Sequence, residues 1–489
     1  MDYEAVIGLE VHAELLTSSK MFCACPVVDS TIARPNTAVC PVCAGMPGVL
    51  PVVNQRAVEY ALRVALALEC TVYPTSIFAR KNYFYPDLPK GYQISQYEQP
   101  LARNGKLVVQ TSQGECTIHI RRVHLEEDTG KLTHVSLAAG SHSLVDLNRA
   151  GVPLLEIVSE PDLRTAEEVR AYAMALRSLL RYLGVNSGDM QKGVMRIEPN
   201  VSVRPVGSSK LGTRVEIKNL NSFRALERSV DYEIQRQIEL LNQGKTIRQE
   251  TMGWDVDNEV TLTQRVKEGE EDYRYFPDPD LPPLVLDLEW IEKIRCSLPE
   301  LPIVKQRRFE AQYGLNAYDA GVLVAEPAVA GFFEQTAACA PDVSPKVIAN
   351  WITGEVFGLL NQAGTGIEES PVSASELAAL ILSLSRGEIN SATAKIVLNE
   401  MFQTGQTAEA IITGHGWQQV SDQVLIAGWI DRVLAENKEQ VAVYLEGKET
   451  VSRWLFGQVM RLAQGQANPQ VVQAELERKL ALLRQMHTS

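Results

Sequence analysis

The 489-residue sequence predicts an α+β protein: an N-terminal mixed-sheet domain, then an all-α helical domain and a small α-helical tail domain. Three observations carry the prediction. The first stretch mixes strand-like alternation with capped amphipathic helices. A proline cluster (Pro277, Pro279, Pro282, Pro283, Pro299, Pro302) then punctuates the chain. Beyond it the periodicity is helical. The expected domains are residues 1–293, 294–408 and 409–489, the last introduced by a break at Gly414-His415-Gly416. At about 100–200 residues per domain the length accommodates three or four.

Alternation of apolar and polar residues predicts strands over Val6–Leu15, Cys116–Leu125 and Arg214–Lys218. Thr165-x-x-Glu168 forms a capping box ahead of Val169, Tyr172, Leu176, Leu179, Leu180 and Leu183, and Gly184 can end that helix. Leu226, Val230, Ile234, Ile238 and Leu241 mark a second stripe, closed by Gly244. Ser373-x-x-Glu376 caps the apolar run Leu377–Leu384. These stripes are core faces and carry no chemistry.

Hydrophobic residues make up 45% of the chain and charged residues 22%, which excludes disorder and low-complexity architecture. With 47 Lys+Arg against 60 Asp+Glu the net charge is −13, so a nucleic acid must be held by local basic patches. No apolar run approaches the roughly 20 residues that span a bilayer. The acidic start, Met1-Asp2-Tyr3-Glu4, is unlike a signal peptide. A cytoplasmic protein without membrane association is expected. Eight cysteines are too few for a disulfide scaffold.

Several groupings suit chemistry. Glu10, His12 and Glu14 alternate on the opening strand and share one face, a donor set fit for a divalent cation. His124-Leu125-Glu126-Glu127-Asp128 ends another strand, and three adjacent acids are costly to hold without a cation. Glu156 interrupts the apolar run Pro153–Val158. Together these segments can build a carboxylate/imidazole pocket for Mg²⁺ that binds a nucleotide through its phosphates. Cys23-x-Cys25 with Cys40-Pro41-Val42-Cys43 fits a structural four-cysteine zinc site. The stretch from Arg80 to Gln96 interleaves cations, including Lys81, with aromatics, including Tyr83 and Tyr85, as adenosine stacking requires. Arg214, Glu216 and Lys218 alternate on a strand, and Arg274 sits within Asp272–Asp278; both segments offer fixed charge for phosphates. There is no GxxxxGK[ST] loop, no G-x-S-x-G elbow and no H-E-x-x-H pair.

In this order the segments resemble the B subunit of aspartyl/glutamyl-tRNA(Asn/Gln) amidotransferase. The likeness runs through Val6–His12, Pro47–Asn54, Arg80–Gln96, His124–Gly130, Leu144–Arg149, Leu154–Asp162, Arg214–Phe223 and Asp272–Asp280. It continues through Gly387–Asn390, Ala394-Lys395, Gly416–Gln419 and Ser421-Asp422. The resemblance implies a cradle domain, a helical domain and a tail that grips tRNA. It implies a glutamine-hydrolysing ligase in which this chain uses ATP and Mg²⁺ to phosphorylate the side-chain carboxylate of Glu on tRNA(Gln) or Asp on tRNA(Asn). An amidase A subunit supplies ammonia, and a small C subunit fastens the heterotrimer. By motif, His12, Glu127 and Glu156 are the expected Mg²⁺ ligands, supported by Glu10 and Glu126. Lys81, Tyr83, Tyr85, Arg214, Glu216, Lys218 and Arg274 are the expected nucleotide contacts. One segment departs from the family: Met195-Arg196-Ile197-Glu198-Pro199-Asn200 stands where Arg-Cys-Asp-Ala-Asn is commoner, which leaves the role of Glu198 open. The rival readings are a non-catalytic tRNA-binding module with a solvated acidic face, and a stand-alone metal-dependent hydrolase.

Overall fold

Strand β1 (Tyr3–Glu14) carries Ile7, Leu9, Val11 and Ala13 on one side, each at most 1% exposed, and Glu10, His12 and Glu14 on the other. Everything that positions the site follows from this division. The computed structural model describes residues 2–137, 140–266, 273–417, 422–463 and 467–488. Asp272, Gln418, Gln419 and Ser421, which carry part of the resemblance, lie outside the described residues.

The strands after β1 are β2 (Thr71–Val72), β3 (Thr75–Ser76), β4 (Ala79–Asn82), β5 (Tyr92–Ser95), β6 (Ala102–Thr111), β7 (Gly114–Glu127), β8 (Lys131–Leu137) and β9 (Gly140–Asp146). They continue with β10 (Pro153–Ser159), β11 (Met195–Pro205), β12 (Val215–Lys218), β13 (Glu250–Asp255), β14 (Val260–Val266), β15 (Phe276–Pro277) and β16 (Leu284–Val285). Among the described residues, nine strands form one sheet in the order β14-β13-β12-β11-β1-β10-β7-β6-β2. Only β12 and β13 in it run parallel. A second sheet, β15-β4-β5, is assembled from the Arg80–Gln96 and Tyr273–Asp280 segments.

Helices α1 (Gln55–Ala67), α2 (Ala166–Tyr182) and α3 (Phe223–Asn242) pack on the apolar face of the large sheet. Asn54 Oδ1 caps α1 by accepting from the amides of Arg56 and Ala57. The capping box expected at Thr165 and Glu168 starts α2, and Gly184, at φ +66°, turns the chain out of it. Each fully buried aliphatic side chain contributes about 1.5–3 kcal/mol to this core. Leu9→Ala would cost about 2–5 kcal/mol through the cavity it leaves.

Two boundaries differ from expectation. Helix α4 (Leu288–Cys296) buries Ile291 and Ile294 in the first core, so the cut at 293/294 falls inside a helix. The first unit runs to Lys305 and the second from Gln306 to Ser489. The second unit is helical and holds two apolar clusters, from Phe309 to Ile412 and from Ile426 to Leu480. The cut at 408/409 falls at the start of helix Ala408–His415, whose Ile411 and Ile412 belong to the middle cluster. Gly414 lies within that helix; Gly416, at φ +64°, ends it. The face a helix buries decides its membership, and glycine punctuation does not. Among the described residues no helix is long and apolar enough to cross a membrane.

Candidate active site

The polar face of the large sheet is built by register. His12 stands opposite Glu156 on β10 and Arg196 on β11, and Glu156 stands opposite His124 on β7. His12 Nε2 lies 3.3 Å from Glu156 Oε2 and 3.6 Å from Glu126 Oε1. His124 Nε2 approaches the same pair from the other side, 3.4 Å from Glu156 Oε2 and 3.8 Å from Glu126 Oε2. One ligand atom each from His12, Glu126 and Glu156 falls within 4.8 Å of the others. Glu126 and Glu156 are 2% and 6% exposed, so this is no solvated acidic face.

Burial alone would depress the His12 pKa. The hydrogen bond and charge of Glu156, with Glu198 and Glu126, outweigh it and hold the imidazole at about 9. Burial likewise opposes the Glu156 charge, yet His124 and His12 keep its carboxyl well below the usual range. Two buried carboxylates are thus balanced by two imidazoles in the free protein. A divalent cation can replace that positive charge, and the mixed oxygen and imidazole donor set suits one.

A second carboxylate group adjoins the first. Glu10, Glu198 and Glu216 bring one oxygen each within 4.8 Å of one another, through the register pairs Glu10↔Glu198 and Asn200↔Glu216. Lys218 Nζ lies 2.9 Å from Glu198 and 3.8 Å from Glu216. Burial, then Glu156, push the Glu10 carboxyl upward. Glu198 thus pairs with Lys218 and stands beside Glu10 and Glu216.

The second sheet supplies cation and aromatic groups. Lys81 Nζ lies 5.0 Å from the Tyr273 ring centroid and 6.0 Å from that of Tyr83. Burial disfavours its charge, but Tyr275, Glu126 and Glu156 more than restore it. Tyr97 and Tyr275 stack at 4.1 Å. Arg80 ties the two segments together through Asp278 at 2.9 Å and Asp280 at 2.7 Å.

Glu127 lies apart from this group. Glu127 leaves β7 on the opposite side from Glu126, where it pairs with Lys90 and accepts from the Ile94 amide at 3.0 Å. It lines a cavity of about 30 Å³ together with Phe22, Cys23, Cys43, Lys90 and Gly151. Of the expected trio, His12 and Glu156 come together with Glu126, while Glu127 stands on the other face. Of the expected nucleotide contacts, Lys81, Tyr83, Glu216 and Lys218 meet this face. Tyr85, Arg214 and Arg274 are exposed. Tyr85 lies on the loop Phe84–Gly91.

Residues 5–292 match the GatB/GatE catalytic domain and residues 331–480 the GatB domain. The B subunit of the aspartyl/glutamyl-tRNA(Asn/Gln) amidotransferase of Myxococcus xanthus is 50% identical over 98% of this chain and 99% of its own. The B subunit of the same name from Moorella thermoacetica is 51% identical over 98% of this chain and 100% of its own. The chain belongs to the family of aspartyl/glutamyl-tRNA(Asn/Gln) amidotransferase B subunits.

In this family member the four cysteines come together, with one Sγ each within 4.8 Å of the others. Cys40 Sγ and Cys43 Sγ are 3.9 Å apart. Tetrahedral zinc, with Zn–S near 2.3 Å, spaces its sulfurs by about 3.8 Å. Lys20, fully buried, donates to Ala38 O at 2.8 Å, to Leu147 O at 3.2 Å and to Cys43 Sγ at 3.6 Å. The hydrogen bond from Cys23 and the charge of Lys20 are among the causes that hold the Cys43 thiol at about 4, so the buried ammonium meets a thiolate. The site fits a structural zinc ion.

His124, Tyr273 and Tyr275 adjoin this group; the sequence analysis picked out the segments that hold them but gave these three residues no role of their own. For His124, two residues before Glu126 on β7, strand parity was the available signal; Tyr273 and Tyr275 flank Arg274, whose φ of +44° takes the chain out of extended backbone, so parity gave none there. Tyr273 and Tyr275 are half-buried while Arg274 between them is exposed. In the tail, Arg478 pairs with Glu475, Lys479 with Asp431 and Arg484 with Glu449. Lys448, Arg453 and Arg461 are exposed, as is Trp454.

Proposed function

We propose that the chain is the carboxylate-activating component of an aspartyl/glutamyl-tRNA(Asn/Gln) amidotransferase. It directs the γ-phosphoryl group of ATP onto the side-chain carboxylate of Glu on tRNA(Gln) or of Asp on tRNA(Asn). Ammonia released from glutamine by a partner amidase then displaces phosphate, giving Gln-tRNA or Asn-tRNA. A small third chain completes the heterotrimer. The observation that carries this reading is the buried His12–Glu126–Glu156 group, lying in electrostatic reach of Lys81 and Tyr275.

In this reading His12, Glu126 and Glu156 hold Mg²⁺, and Glu10, Glu198 and Glu216 extend the acidic wall beside it. Bound there, Mg²⁺ would neutralise phosphoryl oxygens. Lys81 and Lys218 supply fixed positive charge for the same purpose. Tyr83, Tyr273 and Tyr275 offer ring faces for the adenosine and exclude water, which protects the acyl phosphate from hydrolysis. A carboxylate is a poor electrophile; phosphorylation supplies its leaving group, so positioning and electrostatics suffice without a protein nucleophile. The exposed cations near Trp454 hold the outer body of the tRNA, and the four cysteines hold zinc away from the chemistry.

The test uses the purified complex with its amidase partner. ATP turnover that appears only with Glu-tRNA(Gln) or Asp-tRNA(Asn), with amidated aminoacyl-tRNA as product, supports the reading. Metal-dependent hydrolysis without mischarged tRNA favours the hydrolase instead.

A further inference from the structure

Strand β7 outruns its partner. Its ladder with β6 closes at the pair Ala102↔Val123, because the chain ahead of β6 passes through Pro100, which has no N–H to offer. Leu125, Glu126 and Glu127 stay paired to β10 on their other side, opposite Leu155, Leu154 and Pro153. On the vacated side, four successive residues at and just beyond the end of β5 replace the missing strand with side-chain and amide hydrogen bonds. Gln96 Oε1 accepts from the amides of Leu125 at 3.1 Å and Leu101 at 3.2 Å. Gln93 Nε2 donates to the Glu127 carbonyl at 2.7 Å. The Ile94 amide donates to Glu127 Oε1 at 3.0 Å. Ser95 Oγ donates to Glu126 Oε2 at 3.1 Å. Gln96 is itself anchored, its Nε2 donating to Ser76 Oγ at 2.7 Å.

Gln93, Ser95, Gln96 and Ser76 are all at most 6% exposed. Polar side chains at that depth need partners, and those of Gln93, Ser95 and Gln96 converge on Leu125, Glu126 and Glu127 of β7, with Ser76 holding Gln96 from behind. The hydroxyl of Ser95 occupies Oε2 of Glu126, the oxygen also faced by His124 at 3.8 Å, and leaves Oε1 toward His12.

We propose that Gln93–Gln96 is a splint for the cation site, and that Ser95 is a positioning residue that turns the Glu126 carboxylate so that Oε1 presents to the metal. The inference rests on the reading of His12, Glu126 and Glu156 as the Mg²⁺ ligands. A metal-binding carboxylate that loses the hydrogen bond orienting it typically loses about 10–100-fold in metal affinity. The splint acts on the geometry of binding and leaves the chemistry after saturation untouched.

The test is Mn²⁺ titration of the full chain, followed by the electron paramagnetic resonance of the free ion, in parallel with Mg²⁺ activation of the assembled complex. Ser95→Ala is expected to weaken Mn²⁺ binding about 10–100-fold and to raise the Mg²⁺ needed for half-activation by a similar factor. Turnover at saturating Mg²⁺ should stay within about threefold of the unaltered complex. Ser95→Cys, close in volume and a poor donor, should behave alike and serves if the alanine variant does not fold. Glu126→Gln is the control. If Ser95→Ala and Ser95→Cys bind Mn²⁺ normally while Glu126→Gln does not, the splint proposal is overturned and the metal site stands. If Glu126→Gln binds Mn²⁺ normally, the metal-site reading itself falls.

Discussion

Glu126 and Glu127 are neighbours in the chain and leave β7 on opposite faces of the sheet. Glu126 Oε1 lies 3.6 Å from His12 Nε2, whereas Glu127 pairs with Lys90 beneath the cysteine cluster. The two acids should therefore fail differently. Glu126→Gln is expected to abolish tRNA-dependent ATP turnover, at a smaller cost in stability because Glu156 still faces both imidazoles. Glu127→Gln strips the half-buried Lys90 ammonium of its partner and should cost about 2–3 kcal/mol of stability. Thermal melts and ATP assays on both variants decide this. Equal loss of turnover at equal stability would return Glu127 to the metal site.

His12 sets a pH dependence. Its folded pKa, at about 9, exceeds the ordinary 6.5. The imidazolium thus stabilises the metal-free fold fully below pH 6.5, and that contribution is lost as pH rises through about 9. A cation needs the neutral ring, so its affinity moves the opposite way. Added Mg²⁺ should raise the melting temperature more near pH 9 than near pH 6.5, and His12→Asn should remove the difference. A Mg²⁺ effect independent of pH would contradict the assignment of Nε2 as a ligand.

The cysteine cluster is expected to hold about one zinc per chain when the protein is purified reduced and without chelator. Cys40→Ser should lower stability more than it lowers the turnover of folded enzyme. Lys20→Met, which removes the buried counter-charge at Cys43, should speed zinc transfer to a chromogenic chelator. Protein that is stable and active with no zinc by elemental analysis would rule out the site.

In the tail, Arg453 and Arg461 lie eight residues apart on helix Val451–Leu462 and share its exposed side with Trp454. Replacing both by alanine should weaken tRNA binding. It should also flatten the slope of log affinity against log salt by about two phosphate contacts. ATP turnover at saturating mischarged tRNA should persist. An unchanged salt slope would make this helix a packing element.

Much was legible from the chain alone. The capping boxes at Thr165 and Ser373, the central strand with its shared Glu10/His12 face, and the two cysteine pairs rest on contacts within a few residues, so local spacing was enough to read them. Glu126 and Glu127 were both expected at one cation pocket, and although neighbours on a strand point apart, spacing could not say which of them joins His12. That phase depends on the register Leu154↔Glu126 and His12↔Glu156, set by hydrogen bonds between strands remote in sequence. Nor could spacing show that the acidic face is buried, because the residues near it, Lys81, Tyr273 and Tyr275, come from segments on either side of the large sheet's last strands. Periodicity along one strand or helix is a property of the local backbone and survives in the sequence. Its phase against a neighbour, and the burial that shifts pKa values, exist only once distant segments have packed.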